Sequence, residues 1–267
     1  PTFLSSALVI GFGEKYGFHG GGIANFGNLE VRDDSEIVHN RALLDGGGVY
    51  TESGGGGILT VEASDIRENE AFNDGGGIFS TGAVVTLTDT VFDFNNAHRM
   101  GGGAAIEDGP AVLGALYVQA GTKFLENKAG MNGGGLQVAT EIAAIDGALF
   151  EDNEAGIGGG IHAEFSQALA MHVTDSDFVS NSATSGGGMN TLRRAQLEDV
   201  LFSANEATSE GGGFRASGGE WQVVRRGEFV ENVAQSGGAI FARADLALHD
   251  SNVHHNFVTG RLQWRRG

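Results

Sequence analysis

The 267-residue chain has no cysteine. That excludes a disulfide framework, a thiolate metal site and a cysteine nucleophile. Proline is almost absent, 2 residues against 46 glycines, and no Gly-X-Y period runs through the chain. Collagen is thereby excluded, and a disordered linker is argued against. No apolar run approaches the roughly 20 residues of a membrane helix, so no membrane span is expected. The apolar stretch 3–13 lacks the basic flank and cleavage pattern of a signal peptide. Basic residues are few: 16 Lys and Arg face 34 Asp and Glu, a net charge of −18. Phosphate binding needs clustered Lys and Arg, so nucleic acid is not expected as a partner. A hydrophobic share of 40% and a mean hydropathy of −0.09 place the chain among ordered globular proteins. Its acidity suits a secreted or cell-surface protein, solubility being the simplest reading. Since the sequence opens on Pro1, a processed, trimmed or partial chain is expected.

What is abundant is repetition. Glycine blocks begin at Gly20, Gly46, Gly75, Gly101, Gly133, Gly158, Gly186, Gly211 and Gly237. Ahead of the next block stands an apolar residue, two variable residues and Asn. The asparagines are Asn40, Asn69, Asn95, Asn127, Asn153, Asn181, Asn205, Asn232 and Asn256. The leading residue is Ile37, Ile66, Phe92, Phe124, Phe150, Phe178, Phe202, Phe229 or Val253. Two residues after Asn comes Ala in every copy but the last, which has Val258.

A fixed period in this range means a solenoid, a propeller or an array. Each period holds a short run after the glycines, a second alternating run, and a third ending on the Asn motif. None has room for a helix, and a propeller blade needs about 40 residues. Three short strands in about 26 residues make one coil of a right-handed parallel β-helix. The expected fold is therefore all-β, with about nine to ten coils stacked at about 4.8 Å into a rod of about 40 Å. Residues 1–267 form one domain: a partial N-terminal coil over 1–19, repeat coils over 20–260 and a basic tail over 261–267. Equivalent residues then stack in ladders. Phe92, Phe124, Phe150, Phe178, Phe202 and Phe229 suit an interior column. Asn69, Asn95, Asn127, Asn153, Asn181, Asn205 and Asn232 suit a bend, where asparagine tolerates left-handed backbone and its amide can bond along the ladder. The stretch "EDGPAVLGA" from Glu107 reads as an outward loop.

Gly-Gly-Ala-Ile at 237–240, with the Phe-x-x-Asn repeats, resembles the polymorphic outer-membrane proteins of chlamydiae. Those carry repeated GGA[ILV] and FxxN motifs in an exported β-helical passenger. The resemblance spans Gly20 to Asn256. Six of nine copies keep Phe, while eight glycine blocks read Gly-Gly-Gly and one Gly-Gly-Ala. More broadly the chain is similar to pectin-lyase-like β-helices, a class that includes polysaccharide lyases, hydrolases, tailspikes and structural rods. The resemblance implies a β-helical rod and an adhesive role; fold alone does not select a function.

Candidate chemistry lies in columns. Three residues before the leading apolar position, Asp175, Asp199, Arg226 and Asp250 fall on four successive coils. Stacked carboxylates could ligate Ca²⁺ through Asp175 and Asp199, or work as an acid/base pair on a glycan. Arg226 would neutralise that stack, which favours turn-capping residues with a salt bridge. Glu68, Glu126, Asp152 and Glu231 form a second column, read as a solvated edge. His162 and His172 share a coil, and His249, His254 and His255 cluster near Asp250. Arg193, Arg194, Arg225 and Arg226 are the best candidates for a basic group. The glycine triplets are not phosphate loops, because Gly-Lys-Ser/Thr and a βαβ unit are missing. Trp264, Arg265 and Arg266 form a basic aromatic tail suited to docking. Together these features point to a non-catalytic rod acting in adhesion, spacing or assembly, without a cofactor, through a protein partner or self-association at the coil ends. The alternative is a lyase or hydrolase acting on an acidic glycan.

Overall fold

The computed structural model describes residues 2–5, 8–9, 18–54, 56–110, 112–164, 170–218 and 221–259. All regular structure among them is β-strand. The strands wind into a parallel solenoid of three sheets with nine, eighteen and nine strands. Coils are numbered here from the glycine blocks, coil one beginning at Gly20. The sheets are I, II and III in the order a coil visits them. Coil seven contributes Met189–Thr191 to sheet I, Ala195–Glu198 and Leu201–Ser203 to sheet II, and Glu206–Glu210 to sheet III. Most coils therefore have four strand segments where alternation shows three; in coils two and three the sheet II run is one strand, Ile58–Arg67 and Val84–Asp93. The fourth is the Asn-x-Ala segment, often only two residues long, as at Arg41–Ala42 and Glu70–Ala71. Two residues are too few for a period of two to register. Ahead of coil one, Thr2–Ser5 and Leu8–Val9 pair in parallel with sheet II.

Each coil turns three corners on left-handed backbone. The first glycine of every block has φ between 63° and 68°. The bend between the two sheet II segments holds Asp34, Ala63, Asp89, Gly121, Gly147, Asp175, Asp199, Arg226 and Asp250, all at positive φ. The residue before each ladder asparagine is also left-handed, from His39 to His255. Side chains at the last two corners show that positive φ alone does not demand glycine. Close approach does. A Cβ on Gly75 would lie 2.3 Å from the Ile78 carbonyl oxygen; one on Gly76 would lie 2.3 Å from that of Gly102 in the next coil. Gly77 meets Gly103 in the same way at 2.5 Å. Coils in contact backbone to backbone leave no room for a methyl group. The fourth corner, between sheets I and II, has no fixed residue type and carries the segments of variable length, among them 108–110 and 112–114.

Two ladders fill the interior. Phe92, Phe124, Phe150, Phe178, Phe202 and Phe229 are fully buried, with successive ring centroids 4.5–5.0 Å apart and planes within 7°. That spacing is the separation of hydrogen-bonded strands, so the coil step sets the ring stacking. Beside it runs an asparagine ladder from Asn40 to Asn256. Asn153 shows the unit. Its Nδ2 donates to Asn181 Oδ1 at 2.9 Å and to the Phe124 carbonyl at 2.8 Å. Its Oδ1 accepts from Asn127 N and Nδ2, both at 3.0 Å. Both donors and the acceptor are satisfied, which makes a fully buried amide tolerable.

Candidate functional site

The column Asp175, Asp199, Arg226 and Asp250 sits at the exposed bend of sheet II. Its selection is conformational first, since aspartate accepts left-handed backbone better than most residues. Arg226 binds Asp199 in a fork, Nε to Oδ1 and a terminal nitrogen to Oδ2, both at 2.7 Å. The same guanidinium contacts Glu198. These hydrogen bonds hold the Asp199 carboxyl below its ordinary range and push the Arg226 guanidinium up. Further towards the N-terminus, Asp34, Glu36, Asp65 and Asp89 line a depression of about 270 Å³, where Arg67 binds Glu36. Among the described residues, no group of three or more His, Asp or Glu is placed to hold a metal ion.

The remaining candidates scatter. Glu68, Glu126, Asp152 and Glu231 occupy the left-handed corner before the asparagine ladder. His254 and His255 face each other, Nδ1 to Nδ1 at 2.8 Å, and His254 Nε2 lies 3.3 Å from Glu228. His172 is exposed on sheet II, away from His162 on sheet I. Arg193 is fully buried and donates to the carbonyls of Thr140 and, at 2.7 Å, Glu141. It bridges from coil seven to coil five, a structural role; burial lowers its pKa. Arg194, Arg225 and Arg226 are exposed. Trp264, Arg265 and Arg266 lie outside the described residues.

The structure instead gathers polar groups where the sequence offered no column, on the outer face of sheet I. Along each sheet I strand the first and third residues enter the core, so the second and fourth point outward. In register, the second positions read Tyr50, Phe79, Ala105, Gln137, His162, Asn190, Arg215 and Phe241. Such positions are ordinarily solvated. Here Tyr50, Phe79, Ala105, Gln137, His162 and Asn190 are buried. Residues just before a glycine block fold back over this column at His19, which stacks on Tyr50, and at Glu210, which pairs with Arg215 at 3.0 Å.

This face changes character along the rod. Near the N-terminal end Tyr50 stacks between His19, centroids 4.5 Å apart, and Phe79, at 5.6 Å. Its hydroxyl donates to Glu52 at 2.8 Å, and burial together with Glu52 pushes its pKa up. In the middle stand carboxyls. Asp74 is buried and meets Arg99 at 3.6 Å; burial raises its pKa against the pull of that arginine. Glu107 is half-buried and its pKa is pushed to about 7, by burial first and then by Asp74, Glu164 and Asp45, with Arg99 opposing. Near the C-terminal end runs a paired chain. His162 Nδ1 lies 2.9 Å from Asn190 Nδ2, and Arg215 donates to Asn190 Oδ1 at 2.9 Å. Glu210 takes both Arg215 and Arg243; partial burial pushes its carboxyl up, but those hydrogen bonds hold it below the usual range. Burial, helped by Arg215, lowers His162 to about 4, so its ring is neutral near pH 7. The sequence signal was available: aromatic, amide or imidazole side chains stand at the first outward position after most of the glycine blocks, where solvated polar residues are the norm.

No family model matches the chain, and no curated protein and no solved structure matches it.

Proposed function

We propose that this chain is a non-catalytic β-helical rod, secreted or on a cell surface, that acts in adhesion, spacing or assembly. The observation that carries the reading is the asparagine ladder, which runs from Asn40 to Asn256 without a break. A rod needs a regular repeat that keeps its faces in register over its whole length. The sheet II column supports the same reading, because its residues serve the bend and Arg226 is spent on Glu198 and Asp199. The resemblance to chlamydial outer-membrane passengers adds an adhesive role to the proposal. Association through coil ends or faces is its expected mode.

The second reading, a lyase or hydrolase on a glycan, draws on one observation: Glu107 and Asp74 are carboxyls of raised pKa on one face. Such shifts mark functional sites as well as strained ion networks. An acidic glycan fits poorly there, since Asp45, Asp74, Glu107 and Glu164 would repel it.

Light scattering of the purified chain, with and without Ca²⁺ or EDTA, separates the readings. Concentration-dependent association that ignores the chelator supports the rod. A monomer whose melting temperature falls in EDTA, and which cleaves a polysaccharide, defeats it.

A further inference from the structure

The corner between sheets II and III carries one side chain unlike the rest of its column. The residue before each ladder asparagine is left-handed, and from His39 to His255 it is polar or small except at Phe94. Phe94 has φ at 51° and is 52% exposed. A bulky residue there takes an unfavourable backbone and buries little in return. Asn96 and Glu70 separate it from a second aromatic position on sheet III, where Phe72, 54% exposed, stacks on His98 with centroids 4.7 Å apart. Phe94, Glu68, Asn69, Glu70 and Asn96 line a groove of about 510 Å³. Its surroundings are acidic. Glu68 and Glu126 flank Phe94 on the neighbouring coils. Burial raises the adjoining Asp93 carboxyl, and Glu126, Glu68 and Asp65 raise it further against Arg67. The groove's own carboxyls hold exposed partners, His39 on Glu68 at 3.0 Å and Arg41 on Glu70 at 3.3 Å, of a kind worth little in water and easily exchanged.

The chain itself carries a segment of matching chemistry. Residues 261–266 read Arg-Leu-Gln-Trp-Arg-Arg, with three arginines, no acid and two apolar side chains, on a chain of net charge −18. We infer that residues 261–266 of one copy dock in the Phe94 groove of a second copy, Trp264 against Phe94 and the arginines among Glu68, Glu70 and Glu126. The inference rests on the docking reading and names its partner. Guanidinium matches carboxylate, and tryptophan against phenylalanine takes apolar ring out of water on both sides. Reach requires the second copy. Thr259 lies in coil nine and Phe94 in coil three, six coil steps or about 29 Å along the rod, and about 13 Å across sheet III. Trp264 is five residues beyond Thr259 and extends at most about 18 Å. A tail therefore cannot fill its own groove. Two rods lying antiparallel, side by side, set each tail beside the other's groove, so both contacts close at once.

Light scattering of the 267-residue chain against concentration reads the contact. The parent should associate. Phe94→Asn should weaken association about tenfold or more with the melting temperature kept, because asparagine accepts left-handed backbone and Phe94 lies outside the core. Trp264→Ala should weaken it as much. Leu113→Asn removes another exposed apolar side chain, at the corner between sheets I and II, and should change nothing. The deciding sample is an equimolar mixture of the Phe94→Asn and Trp264→Ala chains. The first supplies an intact tail and the second an intact groove. At a concentration where each variant alone has the mass of one chain, the mixture should regain a species with the mass of two 27.6 kDa chains. A mixture without that species overturns the proposal. A loss in Leu113→Asn equal to that in Phe94→Asn also overturns it, being the signature of general stickiness. Variants that associate as strongly as the parent overturn it too, and leave the rod reading standing with its contact elsewhere. A parent that is monomeric at every concentration overturns the second-copy contact alone; the rod reading falls only if that monomer is sensitive to EDTA and cleaves a polysaccharide.

Discussion

At the scale of single residues, Glu107 and His162 make opposite demands on pH. Glu107 has a folded pKa of about 7 against an ordinary 4.5, so the fold favours its protonated form. Its stabilising contribution is complete below about pH 4.5 and is lost as pH rises to 7. His162 has a folded pKa of about 4 against 6.5, so the fold favours its neutral form. Its contribution is complete above pH 6.5 and is lost as pH falls towards 4. At about 1.36 kcal/mol per pH unit each window is worth up to about 3 kcal/mol, and solvent screening trims the Glu107 share to about 2 kcal/mol. Between pH 6.5 and 4.5 the two nearly cancel. Glu107→Gln removes one side. Denaturant unfolding across this range should show the variant losing about 2–3 kcal/mol on acidification where the parent changes by about 1 kcal/mol or less. At pH 8 the same variant should be more stable than the parent, having lost a half-buried carboxylate. Parallel pH profiles for the two chains would refute the assignment. The Arg226–Asp199 pair belongs to another class: both side chains are exposed. Arg226→Ala should leave the melting temperature at moderate salt within error of the parent's.

At the scale of elements, the glycine block and the ladders carry the fold. Gly76→Ala puts a methyl group 2.3 Å from the Gly102 carbonyl oxygen. Backbone cannot yield as a side chain can, so a loss of about 2–3 kcal/mol or failure to fold is expected, read by denaturant unfolding. Phe150→Ala opens a cavity between Phe124 and Phe178, and about 3–5 kcal/mol should go with it. These elements were legible in the sequence because a solenoid repeats its constraints: a position that must be Phe, Asn or Gly in one coil must be so in most. The nine leading residues and nine asparagines revealed coil number, register and interior columns before any coordinates. The Asn-x-Ala strand was not legible as a strand, being too short to alternate. The outer face of sheet I was not legible either. Tyr50, Gln137, His162 and Arg215 share a column but no residue type, so a search for identical residues at a fixed period passes over them. Their common property is full or partial burial at an outward position, which depends on tertiary contacts such as His19 on Tyr50 and Glu210 on Arg215.

At the scale of the whole molecule, each coil packs chiefly on its neighbours, with longer reaches such as Arg193 to Thr140 and Glu141, so stability is close to a sum of coil terms and interface terms. The position of a defect then matters as much as its chemistry. Asn153 bonds to coils on both sides, giving to Asn181 and Phe124 and receiving from Asn127. Asn256 receives from Asn232 and gives to the carbonyls of Phe229 and His254, with no further ladder residue bonded to it among the described residues. Asn153→Ala strands the donors of Asn127 and the Phe124 carbonyl in a buried setting, where each orphaned group costs about 1–3 kcal/mol. Asn256→Ala leaves its orphans half-exposed, where water can reach them. The central substitution should therefore cost several kcal/mol, and the terminal one about 1 kcal/mol or less, by denaturant unfolding of the same chain. Hydrogen exchange should show the same asymmetry. Asn153→Ala should raise exchange in coils four to six, on both sides of the lesion, while Asn256→Ala should raise it only in coil nine. Exchange raised equally in every coil by either substitution would mean that the solenoid unfolds as one cooperative block. The faces of the rod could not then move independently of its core.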